Sequence, residues 1–219
     1  MVKNNCNGSL RFWLLLSGIL NVVFYLLHDC IGAMNYPGYN WMAQAVSDLT
    51  AVDASSRIIA SALSNIGGIF TCIVCTLICI HINELWSKTS EKVLRLGVYL
   101  FVIMHWISAI GYGLFPLTGS GYDGSVQSFI HVFVITSIVV LLSILYSVLI
   151  AVGSFKSGDK VLAWCAVISL LLMFIGAAGS GIVPRKYFGV VERFSTYSAG
   201  CFTSAIAIVA FVKLGKKEE

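Results

Sequence analysis

The chain has 219 residues, of which 58% are hydrophobic and only 11% charged, with a mean hydropathy of +0.89 and a formal net charge of +4. A water-soluble domain carries about 25% charged residues, so these proportions exclude one: the outside as well as the inside must be apolar. A nucleic-acid partner is excluded as well, because no basic stripe interleaved with aromatics is present; the partners expected are membrane lipids.

Crossing a bilayer takes about 20 apolar residues per helix. Six runs reach that length, at roughly 10–32, 57–82, 94–116, 125–152, 160–183 and 190–212. They lack the strict alternation of barrel strands. The fold class predicted is all-α: a polytopic six-transmembrane-helix bundle forming a single membrane domain over residues 1–219. The first run follows Lys3 and Arg11 but is too long for a signal-peptide core, and no small-residue cleavage site precedes the next loop, so it reads as a retained helix. His28-Asp29 marks its far end.

The long connection at 33–56 carries Tyr36, Tyr39 and Trp41, residues suited to a membrane interface. Helical spacing of apolar residues predicts a short interfacial helix over Met42 to Val52, and Asp53 is expected to cap the second helix with Ser55 and Ser56. Ser47-Asp48 falls where no cap is required. Arg57 opens helix two, on which Cys72, Cys75 and Cys79 share a face. These thiols read as small packing residues, and the seven cysteines imply no disulfide framework.

The three prolines, Pro37, Pro116 and Pro184, each follow an outgoing helix. Helix three ends Gly111-Tyr112-Gly113-Leu114-Phe115-Pro116 and helix five ends Gly179-Ser180-Gly181-Ile182-Val183-Pro184. In both, glycine permits close helix approach and proline stops the helix. Between helices three and four, Asp123 and Ser125 are each able to cap helix four. His131 lies about two turns further in, on the face of Ser128. An ionisable residue at membrane depth faces the bundle interior and has a partner. His105, with Ser108 and Tyr112 on its face, reads as a partner of His131 or an axial ligand. The connections at 83–93 and 153–160 are hydrophilic, and Gly158-Asp159 is an ordinary helix start. Glu192 and Arg193 open helix six about 100° apart, so each is expected to pair elsewhere: Glu192 with Arg57 or His131, Arg193 with Asp48 or Asp123.

Lys and Arg set the orientation. Lys3, Arg11, Lys88, Lys92, Arg95, Lys156, Lys160, Lys213, Lys216 and Lys217 fall on one side, against Arg57, Arg185, Lys186 and Arg193 on the other. Both termini are therefore expected to be cytoplasmic, in a multi-pass protein of the cell membrane.

Six helices, Ser47-Asp48 in the first loop, Arg57 opening helix two, Phe115-Pro116 followed by Asp123 and His131, and Glu192-Arg193 opening helix six together resemble a large prokaryotic membrane family known as domain of unknown function 998. The resemblance covers nearly the whole chain and implies a six-helix membrane protein without an established activity. A more distant similarity is to eukaryotic six-helix proteins of the Frag1, DRAM and Sfk1 type, associated with membrane lipids. The alkaline-ceramidase and adiponectin-receptor hydrolases use Ser, Asp and three His around zinc. This chain offers Ser47, Asp48, His105, Asp123 and His131 but lacks a seventh helix and a late HxxxH pair.

The ligand-binding residues expected at the outer mouth are Asp48, Arg57, Asp123, His131, Glu192 and Arg193, with no metal or cofactor assigned. Three readings follow. The first is binding of a lipid headgroup or small amphipathic ligand, with arginine as the phosphate partner. The second is an intramembrane lipid hydrolase or transferase using His131 as base with Asp123 or Glu192, and a metal as an option. The third is a structural protein whose charged mouth is a salt-bridge lock.

Overall fold

The computed structural model describes residues 2–86 and 92–216. Lys88 and Lys217, and the side chains of Lys3 and Cys6, lie outside the described part. The apolar runs become α1 (Val2–Met34), α2 (Arg57–Ile80), α3 (Lys92–Leu114), α4 (Val126–Ser157), α5 (Lys160–Ile182) and α6 (Phe188–Gly215). Even the 23 residues of α3 extend roughly 35 Å at about 1.5 Å per residue, enough for a hydrocarbon core of about 30 Å. Among the described residues these six helices are long and apolar enough to cross a membrane, and no strand occurs. Large apolar side chains such as Ile58, Leu141, Leu171 and Ile182 point outward, as a lipid solvent requires.

The helices form a ring: α1 packs on α2 and α6, α6 on α5, α5 on α4, and α4 on α3, while α3 returns to α2 through the loosest seam. The half of the bundle where α1 begins and α6 finishes is solid. Leu14, Ile78, Leu94, Ile150, Leu162 and Ile206 are fully buried there. Phe101 meets Tyr146 and Phe202 edge-on at 5.2 and 5.9 Å between ring centres. We call this the closed end and the other the open end.

Several local expectations are met. Each proline falls two or three residues beyond the end of α1, α3 or α5. The first glycine of each repeated motif makes the close approach: a β-carbon on Gly111 would sit 3.0 Å from Ile135 of α4, and one on Gly179 3.1 Å from Val191 of α6. Asp159 caps α5 by accepting from the Leu162 amide at 3.4 Å. Cys72 and Cys75 are buried free thiols on α2.

Other expectations are corrected. The interfacial helix over Met42 to Val52 shrinks to a single 3-10 turn, Val46–Thr50. Its hydrogen-bonding groups are drawn instead into contacts with neighbouring segments. Asp53 does not cap α2. Ser56 holds the cap position without a side-chain cap bond, its hydroxyl donating to the Leu49 carbonyl at 2.8 Å. The Asp53 carboxylate lies beside Gly119. Helix α4 carries an unexpected π turn at Ile130–Ile135.

Candidate functional site

The loops at the open end are stapled to one another by the acids the sequence singles out. Asp48 is 3% exposed and accepts from Ser120 Oγ at 2.6 Å and from the Gly121 amide at 3.1 Å, joining the first loop to the second. Val52 N–H donates to the Leu117 carbonyl at 2.8 Å across the same contact. Asp123 accepts from the Thr118 hydroxyl and from the Ser125 amide at 3.0 Å. The Thr118 hydroxyl, then Ser125, hold its carboxyl well below the usual carboxylate range. Ser125 is the cap of α4, accepting from the Ser128 amide at 3.1 Å.

Arg193 is the hub of the bundle. Its Nε and Nη2 clasp both oxygens of Asp29 on α1 at 2.8 and 2.7 Å, and Nη2 also donates to Tyr39 Oη at 2.9 Å. Nη1 donates to the carbonyls of Trp41, Gly189 and Gln44 at 2.7, 2.9 and 3.3 Å. The Tyr197 hydroxyl completes Asp29. Burial pushes the Tyr39 phenol up to about 12, against the pull of the nearby guanidinium. The expected pairing of Arg193 with Asp48 or Asp123 therefore does not form. Both acids are engaged with loop hydroxyls and amides, and Asp29 supplies a planar two-oxygen partner for the guanidinium fork.

A cavity of about 1520 Å³ occupies the middle of the ring toward the open end and is lined from all six helices. Of the six mouth residues, Arg57, His131 and Glu192 line it, whereas Asp48, Asp123 and Arg193 do not. Arg57 is exposed at the start of α2, and its guanidinium makes no hydrogen bond or ion pair with a described residue. His131 sits in the π turn, a device found at functional sites. Its Nδ1 is 2.7 Å from the Phe115 carbonyl, which can only accept, so Nδ1 carries the proton. Nε2 makes no hydrogen bond with a described residue. The Tyr112 ring lies over the imidazole at 4.7 Å, and Thr136 Oγ1 donates to the His131 carbonyl at 2.8 Å. Glu192 accepts only a long bond, 3.4 Å, from the Val46 amide. Neither Arg57 nor His131 pairs with it, contrary to expectation.

Further polar groups line the walls. Ser61, Ser64 and Asn65 follow Arg57 along one face of α2, and Ser108 and Tyr112 face them from α3. Toward the closed end the lining becomes mainly apolar, with Ile73, Leu77, Met104, Val139, Ile144 and Met173, interrupted by Thr76, His105 and Ser143. His105 is not a partner of His131. Its Nε2 meets Thr203 Oγ1 at 3.0 Å, and that hydroxyl donates onward to the Ala199 carbonyl.

The hydrolase reading needs Asp123 or Glu192 to orient His131; the Phe115 carbonyl does so instead. Among the described residues no three His, Cys, Asp or Glu side chains are grouped to hold a metal ion. Ser128, expected beside His131, bonds Thr118 at 2.7 Å.

Sequence reasoning passes over Asn21 and reads His28-Asp29 only as the far end of the first helix. His28 is 4% exposed, lines the cavity, and neither ring nitrogen has a hydrogen-bond partner among the described residues. Asn21 ties three helices, donating to the Gly200 carbonyl at 3.0 Å and accepting from Thr71 Oγ1 at 2.8 Å. The signal was present: three polar residues lie within an apolar run of membrane length.

Six lipid-length helices around a cavity whose lining is more polar toward the open end define a multi-pass membrane protein with an internal chamber. The model of the family described as protein of unknown function (DUF998) matches residues 19–209, and the chain belongs to that family. No curated protein and no solved structure matches it.

Proposed function

We propose that this protein binds an amphipathic, lipid-like ligand, with the head among Arg57, His131 and Glu192 and the apolar part along the deeper walls. The observation that carries this reading is the cavity itself. It has a polar end whose side chains the fold leaves unused, a mainly apolar deeper part, and a side opening to the lipid-facing surface. That opening lies at the α2–α3 seam. Ile69 and Ile110 line the cavity yet are 58% and 53% exposed, so the chamber opens sideways between them. Gly68 and Gly113 leave open space there. Toward the closed end Trp106 Nε1 donates to Thr76 Oγ1 at 3.1 Å and shuts the seam. A lipid can thus enter from the bilayer without its tail crossing water. With the termini cytoplasmic, as the lysine and arginine bias predicts, the opening faces the outer leaflet of the cell membrane. The distant similarity to the Frag1, DRAM and Sfk1 type agrees with a lipid role as analogy only.

The test is lipid mass analysis of protein purified in mild detergent, beside Gly68→Phe and Arg57→Ala. The expected result is a stoichiometric lipid in the parent protein, depleted in both variants while thermal stability is kept. A parent protein free of lipid, or a Gly68→Phe variant that retains it in full, overturns the reading.

A further inference from the structure

Glu192 lines the cavity with a single long hydrogen bond. The charged groups within its electrostatic reach are Arg193, Asp29 and Asp48, so this corner holds three carboxylates against one guanidinium. That guanidinium is already committed to Asp29, Tyr39 and three carbonyls, and it does not line the chamber. A carboxylate at membrane depth without a dedicated cation is costly. A cation supplied by the ligand would relieve that cost.

The surrounding walls point to the kind of cation. Tyr25 on α1 and Tyr112 on α3 line the cavity and lie within reach of the Glu192 charge, and Phe188 lines the same chamber one turn before Glu192. Aromatic rings in the neighbourhood of a carboxylate suit an organic cation. His28, whose ring meets Tyr25 edge-on at 5.7 Å, adds two buried ring nitrogens without partners among the described residues, able to serve an N–H donor or a bound water. On α2, Arg57, without a hydrogen bond or ion pair to a described residue, provides the complementary group for a phosphate.

We infer that the head of the ligand is a zwitterion: an ammonium group seated against Glu192 among Tyr25, Tyr112 and Phe188, and a phosphate directed to Arg57. This rests on the cavity reading above and narrows it to one chemical class. The shared chemistry is that of an aminophosphate ester, carried either by a membrane lipid or by its soluble deacylated form.

Native mass spectrometry of the purified protein tests it, with three additions: short-chain phosphatidylethanolamine, short-chain phosphatidylglycerol, and soluble glycerophosphoethanolamine. The parent protein is expected to retain phosphatidylethanolamine at least tenfold better than phosphatidylglycerol. Glu192→Gln should abolish that preference and leave phosphatidylglycerol unchanged, whereas Glu192→Asp, which keeps the charge, should preserve most of it. Arg57→Ala should weaken both lipids together. Tight binding of glycerophosphoethanolamine alone would uphold the ammonium site and make the soluble ester its ligand. Equal retention of the two lipids, or an unaltered preference in Glu192→Gln, overturns the ammonium site while leaving a lipid chamber standing. A parent protein that retains none of the three overturns the chamber and this inference with it.

Discussion

The Asp29–Arg193 pair offers the sharpest test of what holds the bundle together. Both side chains are under a tenth exposed, at 9% and 8%, and their contact at 2.7 Å joins the first helix to the last. Removing one partner of such a pair costs about 3–5 kcal/mol, because the other charge is left buried and uncompensated. The structure orders the two single variants within that range. Asp29→Ala leaves Arg193 with three carbonyls and the Tyr39 hydroxyl, so its cost falls near the lower end. Arg193→Ala strands Asp29 with only Tyr197 and frees three carbonyls under the first loop, so its cost falls near the upper end. For a chain of this size each kcal/mol lowers the melting temperature by about 2–4 °C. The expectations are losses of roughly 6–12 °C for Asp29→Ala and roughly 10–20 °C for Arg193→Ala, read by thermal unfolding in detergent. The double variant should cost little more than Arg193→Ala alone, a coupling of about 3 kcal/mol. Additive losses, or a harmless Asp29→Ala, would refute the account.

Asp48→Ala removes the acceptor for Ser120 and Gly121 and should loosen the clasp between the first two loops by about 1.5–3 kcal/mol. Hydrogen exchange should accelerate over 46–50 and 118–121 with the helices unchanged, and unaltered exchange there counts against the clasp. Asp123 is ionised more readily in the fold than in the open chain. Its support for the second loop is therefore complete above the unfolded value of about 3.9 and fades as pH falls toward the lower folded value. Exchange in 115–125, corrected for intrinsic rates, should rise on the acid side in the parent protein and lose that dependence in Asp123→Asn. Tyr39 has the opposite sign: the fold favours its neutral form, so its contribution is full below about pH 10 and is lost as pH climbs toward about 12. An ultraviolet titration of the parent against Tyr39→Phe, in which the variant has one late-ionising tyrosine fewer, checks this. A β-carbon on Gly153 would sit 2.4 Å from the Leu94 backbone nitrogen, so Gly153→Ala must part α3 from α4 and should cost about 1–3 kcal/mol. Gly68→Ala, with nothing within 4 Å, should be neutral or gain up to about 1 kcal/mol from helix propensity. Equal melting temperatures for these two variants would show the close approach to be unimportant.

The six helices were legible because a lipid-spanning segment must be long and continuously apolar, and few other segments in a chain are. Helix α4 runs on to Ser157 because its last turn, with Ser154, Lys156 and Ser157, is polar and leaves no hydropathy signal. The site was half legible. Arg57, His131 and Glu192 do line the chamber, but the sequence gives Asp48, Asp123 and Arg193 the same appearance. What separates the two sets is partner geometry between loops far apart in the chain, such as Asp48 with Ser120, and spacing carries no trace of it. Asp29 was read only as the far end of helix one, because an acid near the end of an apolar helix looks like an ordinary boundary residue. The π turn at His131 has no proline to announce it; it coincides with a contact from the Phe115 carbonyl and with a local bond from the Thr136 hydroxyl to the His131 carbonyl.

The contact between Asp29 and Arg193 spans 164 residues of sequence, and that distance sets a clock on biosynthesis. At about 5–20 residues per second, a ribosome takes roughly 8–33 s to travel from one to the other. Throughout that interval α1 is already made, with the Asp29 carboxyl facing a guanidinium that does not yet exist. The helices cannot lock in the order of their synthesis: the first waits on the sixth, and any pause ahead of α6 prolongs the time an unfinished bundle spends in the membrane.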